Sequence, residues 1–201
     1  MTAAAAATAT DTDTGRVRIT DAAAALFLDK GYAQTTLRDI AAAAGIKAGS
    51  IYYHFDSKES LFLDILRQGI AVMVDAFEQA ERIAADSTPG ERVATHVRAH
   101  LSALFEHGPY TANHVSAFHV APETVRSEVV ADRDRYEAMW TRLLAELRAS
   151  GRLADGLDLG LTRLTLFGAM NFAVEWFDPD RGNLDELAGV IARQFWTGVA
   201  V

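Results

Sequence analysis

Apolar residues recur three and four positions apart from Arg16 almost to the C-terminus, which is helical spacing. No sustained period-two alternation bounded by turn pairs occurs, so the pattern predicts an all-α fold. The first helix is expected over residues 16–30, with Ile19, Ala22, Ala23, Leu26 and Phe27 as its apolar stripe and Gly31 free to take positive φ beyond its end. A short helix over 37–44 follows. Thr36 opens it, Asp39 sits three residues on as in a capping box, and Gly45 closes it. A third short helix covers 47–54. A long one opens at SKESLFLDIL, with Asp56 or Ser57 as cap, and persists to about residue 85, where Ser87, Thr88, Pro89 and Gly90 break the pattern. Five more are expected over 90–107, 110–119, 123–149, 158–177 and 184–199, making nine.

Composition narrows the class. Of 201 residues, 50% are hydrophobic and 23% charged, which describes a globular chain. The absence of cysteine excludes disulfides, thiolate metal sites and cysteine nucleophiles. No apolar run reaches membrane-spanning length. The N-terminus MTAAAAATATDTDTG has no basic start and no leucine-rich stretch, so the expected compartment is the cytoplasm. Residues 1–15 are of low complexity and are expected to form a disordered tail.

The net charge of −8 is unevenly distributed. Residues 16–60 hold six basic and five acidic side chains, including all three lysines, whereas 61–201 hold 13 arginines against 20 acids. Such asymmetry hints that the first segment faces a polyanion, although three lysines can also fall together by chance. The expected organisation is therefore a tail (1–15), a helix-turn-helix domain (16–60) and a regulatory and dimerisation domain (61–201).

Two short helices joined at a glycine turn, after a longer first helix, form the helix-turn-helix pattern. In DIAAAAGIKAGSIYYHF, Gly45 supplies the turn, Ile40 and Ile46 sit where they would pin the helices together, and Ile51 faces inward. Lys47, Ala48, Gly49, Ser50, Tyr52, Tyr53 and His54 are left around the outer face, where small residues permit close approach and polar ones reach phosphates or base edges. The same spacing also describes a plain helical hairpin with a polar surface.

The stretch TTLRDIAAAAGIKAGSIYYHFDSKESLF resembles the DNA-binding domain of the tetracycline-repressor (TetR) family. The likeness is carried by Thr35, Thr36, Asp39, Ile40, Ala41, Ala44, Gly45, Ile46, Gly49, Ser50, Ile51, Tyr52, His54, Phe55, Ser57, Lys58, Glu59 and Leu61, and covers residues 16–62. Lys47 departs from it, standing where the family usually has a serine or threonine cap. The resemblance implies that Thr36, Tyr52, His54 and Lys58 meet phosphates, and that Lys47, Ala48, Gly49, Ser50 and Tyr53 lie in the base-facing neighbourhood. It also implies a dimer, a small-molecule effector and double-stranded operator DNA as partners. The stretch GAMNFAVEWFDPDRGNL resembles one in actinobacterial members linked to lipid or steroid acyl-CoA breakdown, but Glu175 and Asp178 place negative charge where a CoA phosphate needs a cation.

In the regulatory half, the stripes of the last two helices, among them Leu161, Leu164, Leu187, Val190 and Phe195, suit either a four-helix homodimer interface or the monomer core. Phe105, Trp140, Phe167, Met170 and Asn171 combine apolar area with one uncharged amide, which suits an effector pocket. Five of six histidines fall between 96 and 119. His96 and His100 share a helix face at a spacing that would suit two metal ligands, but no third ligand is near. His100 is placed with the effector residues instead, and no metal or cofactor is expected. No hydrolase elbow, zinc-protease motif or phosphate loop occurs, so catalysis is not expected. The function expected is a ligand-responsive DNA-binding regulator, a repressor released from a palindromic operator by a mainly apolar molecule. A small-molecule-binding or scaffold protein without DNA function is the alternative.

Overall fold

A computed structural model describes the chain from Ala3 to Val201, with side chains from Thr14 onward. Helix α1 (Ala3–Lys30) is followed by α2 (Leu37–Ala44), α3 (Ala48–Tyr53), α4 (Lys58–Ile83) and α5 (Pro89–Glu106). Next come α6, a composite over 109–120, and then α7 (Glu123–Ala149), α8 (Leu159–Asn171) with a tight turn Phe172–Glu175, and α9 (Leu184–Val199). Among the described residues the extended structure is limited to one isolated antiparallel bridge, between Leu153 and Ala200. Helix α1 continues back to Ala3 through the segment expected to be a tail; Met1 and Thr2 lie outside the described residues.

The local rules at the helix ends are met by particular atoms. Thr36 Oγ1 accepts from the Asp39 amide at 3.2 Å, and Asp39 Oδ2 accepts from the Thr36 amide at 2.9 Å. These Thr36 bonds hold the Asp39 carboxyl below the usual carboxylate range. Gly45 closes α2 at φ +67, where a Cβ would be strained. Arg18 reaches across from α1 to donate to the carbonyls of Ala44 and Gly45, so a side chain meets the bare C-terminus of α2. Ser57 and Ser60 cap α4 reciprocally, and Thr88 and Glu91 cap α5. Pro89, expected within a break, instead occupies the first turn of α5, where its missing N–H costs nothing.

Helix α4 passes from one half of the molecule to the other. Its N-terminal part carries Phe62 into a core with Ile19, Phe27, Ile40 and Ile51; Phe62 meets Phe27 edge-on at 5.0 Å and stacks on Tyr32 at 4.7 Å. Its C-terminal part carries Met73 and Phe77 into the regulatory core around Trp140. Helix α6 lies close to α4 at Gly69, where a Cβ would sit 2.4 Å from the Tyr110 carbonyl oxygen, so glycine is needed there. The middle of α6, Asn113–Ala117, widens into π-helical turns, a form that often marks functional positions. Its side chains tie it to α1: Tyr110 donates to Asp21 at 2.7 Å, and Asn113 Nδ2 donates to the Ala24 carbonyl at 2.8 Å.

Candidate functional site

The first site is the surface around α3. Lys47 precedes this helix in an extended conformation with no side-chain cap bond, and the six residues that follow adopt tight 3-10 geometry rather than a full α-turn. Ile51 and Phe55 are buried behind α3, and Arg16 stacks 4.2 Å over the Phe55 ring while donating to the His54 carbonyl. Lys47, Ala48, Gly49, Tyr52 and Tyr53 are exposed, with Ser50 and His54 half-buried at the edge. Tyr53 is 87% exposed, so packing does not account for its presence. Thr36 is exposed at the start of α2. Of the nine residues expected to meet DNA, Thr36, Lys47, Ala48, Gly49, Tyr52 and Tyr53 are thus exposed, and Ser50 and His54 are half-buried.

Lys58 also has partners within the protein. Its ammonium donates to the carbonyls of Tyr32 at 2.8 Å and Thr35 at 2.9 Å and lies 4.1 Å over the Tyr32 ring. The chain leaving α1 folds back over the start of α4 and presents two carbonyls that α1 does not satisfy, so the lysine staples this corner. Lys58→Met is expected to lower stability by about 1–3 kcal/mol, read by thermal unfolding. An unchanged melting temperature with a flattened salt dependence of operator binding would return Lys58 to the phosphates.

The second site is a cavity of about 430 Å³ in the regulatory half, within the size range of small-molecule pockets. Met73, Val115, Leu164, Phe167, Phe172 and Val174 supply its apolar walls. His100, His114, Ser116, His119, Arg133, Tyr136, Glu137, Asn171 and Glu175 supply polar ones, with Gly168 between. His100 is buried, with Nδ1 2.8 Å from the Tyr136 hydroxyl and Nε2 2.9 Å from Asn171 Oδ1. Burial brings its pKa down to about 4, so it is neutral at physiological pH. Burial brings His114 to about 3, with Arg133 and His100 adding to the effect, and His114 Nδ1 has no hydrogen-bond partner. Arg133 lies 3.9 Å over the Phe118 ring, 3.5 Å from Glu137.

The cavity thus unites His100, Phe167 and Asn171 as expected from the sequence, but three assignments need correction. Trp140 and Met170 are fully buried behind the wall; Trp140 packs against Phe77, His96, His100 and Phe167. Phe105 packs edge-on against Phe177, away from the cavity. Their size and hydrophobicity suited a core as well as a pocket, and a core is where they are. Arg133 and His114 escaped sequence reasoning. A signal existed for Arg133: it is a charge at the helical spacing of the apolar stripe Val125, Val129, Tyr136, Trp140. His96 turns away from His100. Its Nδ1 meets the Arg92 carbonyl at 2.7 Å, while Nε2 lies 2.9 Å from Glu81 without hydrogen-bond geometry. Among the described residues no three histidine, aspartate or glutamate side chains converge for a metal.

A helix-turn-helix surface joined to a helical unit with its own cavity defines a ligand-controlled DNA-binding regulator. The family model for bacterial regulatory proteins of the tetR family matches residues 19–65, and the tetracyclin repressor-like C-terminal domain matches residues 86–199. The HTH-type transcriptional repressor KstR2 of Rhodococcus jostii is 33% identical, over 82% of this chain and 80% of that protein. The fatty acid metabolism regulator protein of Bacillus subtilis is 26% identical, over 79% and 80%. The TetR-family regulator PfmR of Thermus thermophilus superposes with a TM-score of 0.78 at 26% identity, covering 90% of this chain and 97% of that one. The chain belongs to the TetR family of bacterial regulatory proteins. It is a DNA-binding transcriptional regulator. No described helix is long and apolar enough to cross a membrane.

Proposed function

We propose that the chain is a cytoplasmic, non-catalytic repressor whose helix-turn-helix unit (16–60) leaves a palindromic operator when a mainly apolar molecule occupies the cavity of the 61–201 unit. The observation that carries this reading is the double engagement of α6. His114, Val115, Ser116 and His119 on it line the cavity, while Tyr110 and Asn113 on it hydrogen-bond to α1. A ligand that favours one arrangement of α6 therefore favours one placement of α1, and with it the spacing of the two recognition elements across a dimer. DNA must accept those elements about 34 Å apart, in successive major grooves.

Mapping genomic binding sites and titrating the recovered palindrome test this reading. Lys47→Ala is expected to reduce the salt slope of binding by about one unit, and Tyr53→Ala to weaken binding with the melting temperature unchanged. Neither variant altering operator binding would leave the small-molecule-binding protein without DNA function as the better reading.

A further inference from the structure

The polar wall of the cavity is ordered by a chain of hydrogen bonds with a fixed direction. Asn171 Oδ1 can only accept, so His100 Nε2, 2.9 Å away, carries the imidazole proton. The ring is neutral, which leaves Nδ1 as an acceptor, and the Tyr136 hydroxyl at 2.8 Å donates to it. The Tyr136 hydroxyl is itself buried, and burial raises its pKa, so it stays protonated and keeps its proton for Nδ1. Tyr136 on α7 thus sets His100 on α5, and His100 sets the amide of Asn171 on α8. With its oxygen held by His100, the Asn171 amide is left with Nδ2 as its donor, on a residue that lines the cavity.

The neighbouring charge fixes what that donor meets. Arg133 adds guanidinium donors to the same cavity, but Glu137 stands 3.5 Å from it, and Glu175 adds a second carboxylate to the lining. Arg163 holds Glu137 from outside at 2.8 Å. The lining itself carries one arginine against two carboxylates, so an anionic ligand group meets no net attraction there. An uncharged acceptor meets Asn171 and Arg133 without opposition.

We propose that the effector is an apolar molecule bearing an uncharged carbonyl oxygen, and that Asn171 Nδ2, oriented through His100 and Tyr136, is the donor that reads it. The proposal rests on the cavity being the effector site. A hydroxyl at the same place can also accept from Asn171, but its own proton must then find an acceptor, and the Glu137 carboxylate beside Arg133 is already engaged by Arg133 and Arg163.

Two measurements on the full-length protein separate the failures. Imidazole ¹⁵N NMR of the ligand-free protein is expected to show His100 protonated at Nε2 and not at Nδ1; the opposite tautomer overturns the proposal whatever binds. Calorimetric titration then compares 4-phenylcyclohexanone with 4-phenylcyclohexanol. The ketone is expected to bind the wild-type protein about threefold to tenfold more tightly. Asn171→Leu should bring the ratio close to one, and Asn171→Asp, which turns an acceptor to the cavity, should invert it. A ratio unchanged across the three proteins overturns the carbonyl reading and leaves the cavity as effector site. Binding of neither compound by wild-type protein that still holds its operator overturns both.

Discussion

A Leu161→Glu protein is expected to fold normally, to sediment as a monomer at micromolar concentration and to lose most of its operator affinity. Helix α8 and the turn after it expose Leu161, Leu164, Phe172 and Trp176, each more than half exposed, and Val190 on α9 is partly exposed. A monomeric surface rarely leaves so many large apolar side chains uncovered together. The second copy in the functional dimer is the natural cover, and a two-fold interface uses the same patch from both chains. Leu161 is 64% exposed and does not line the cavity, so a glutamate there leaves both the core and the effector site intact. One buried interface anchor contributes on the order of 2 kcal/mol, and symmetry counts it twice. About 4 kcal/mol corresponds to roughly a thousandfold in the dimer constant. Operator binding follows, because a monomer offers one recognition element to a site built from two. Sedimentation unchanged from wild type would place the dimer contact elsewhere. Phe195 and Leu187, which periodicity alone also offered as interface probes, pack against the core, so glutamate there would report on folding instead.

The contrast between Leu161 and Phe195 shows where the sequence stops being informative. Both sit on amphipathic stripes, and periodicity shows which residues share a face, not what covers that face. The same ambiguity put Trp140 and Met170 in the pocket wall when they stand behind it. The helix-turn-helix was more legible because its constraints are local. Gly45 must take positive φ, Thr36 and Asp39 must cap each other, and Ile40 and Ile51 must face inward, all within sixteen residues. The intramolecular role of Lys58 was hidden for a related reason. Its charge suggested a phosphate, but its partners are carbonyls of Tyr32 and Thr35, more than twenty positions earlier in the chain. The relay from Tyr136 through His100 to Asn171 spans helices 36 and 71 positions apart, so no local pattern could announce it. Arg133 was within reach, as a charge on an apolar stripe needs a reason.

Acidification is expected to destabilise the regulatory half well before its surface carboxylates titrate. His100 and His114 ionise near 6.5 when exposed in an unfolded chain, but at about 4 and about 3 in the fold, because burial disfavours the imidazolium in both. Between those limits the unfolded chain binds more protons than the folded one, so stability falls as pH drops below about 6.5 and keeps falling towards the folded values. The Asp39 and Glu91 capping carboxyls, held low by Thr36 and Thr88, lose their contribution only at lower pH. One pKa unit corresponds to about 1.4 kcal/mol, so the two histidines together remove several kcal/mol, a large part of a typical total of about 5–15 kcal/mol. Protonation also breaks the relay, since an imidazolium donates from both nitrogens and the Tyr136 hydroxyl must turn away from Nδ1. Urea unfolding of the wild-type protein should show midpoints that fall steadily from pH 7 to pH 5. His114→Met keeps a soft apolar lining and should give a shallower decline over the same range. Midpoints that stay level between pH 7 and pH 5 in the wild-type protein would mean that water or an internal partner reaches these imidazoles and stabilises their charge in the fold.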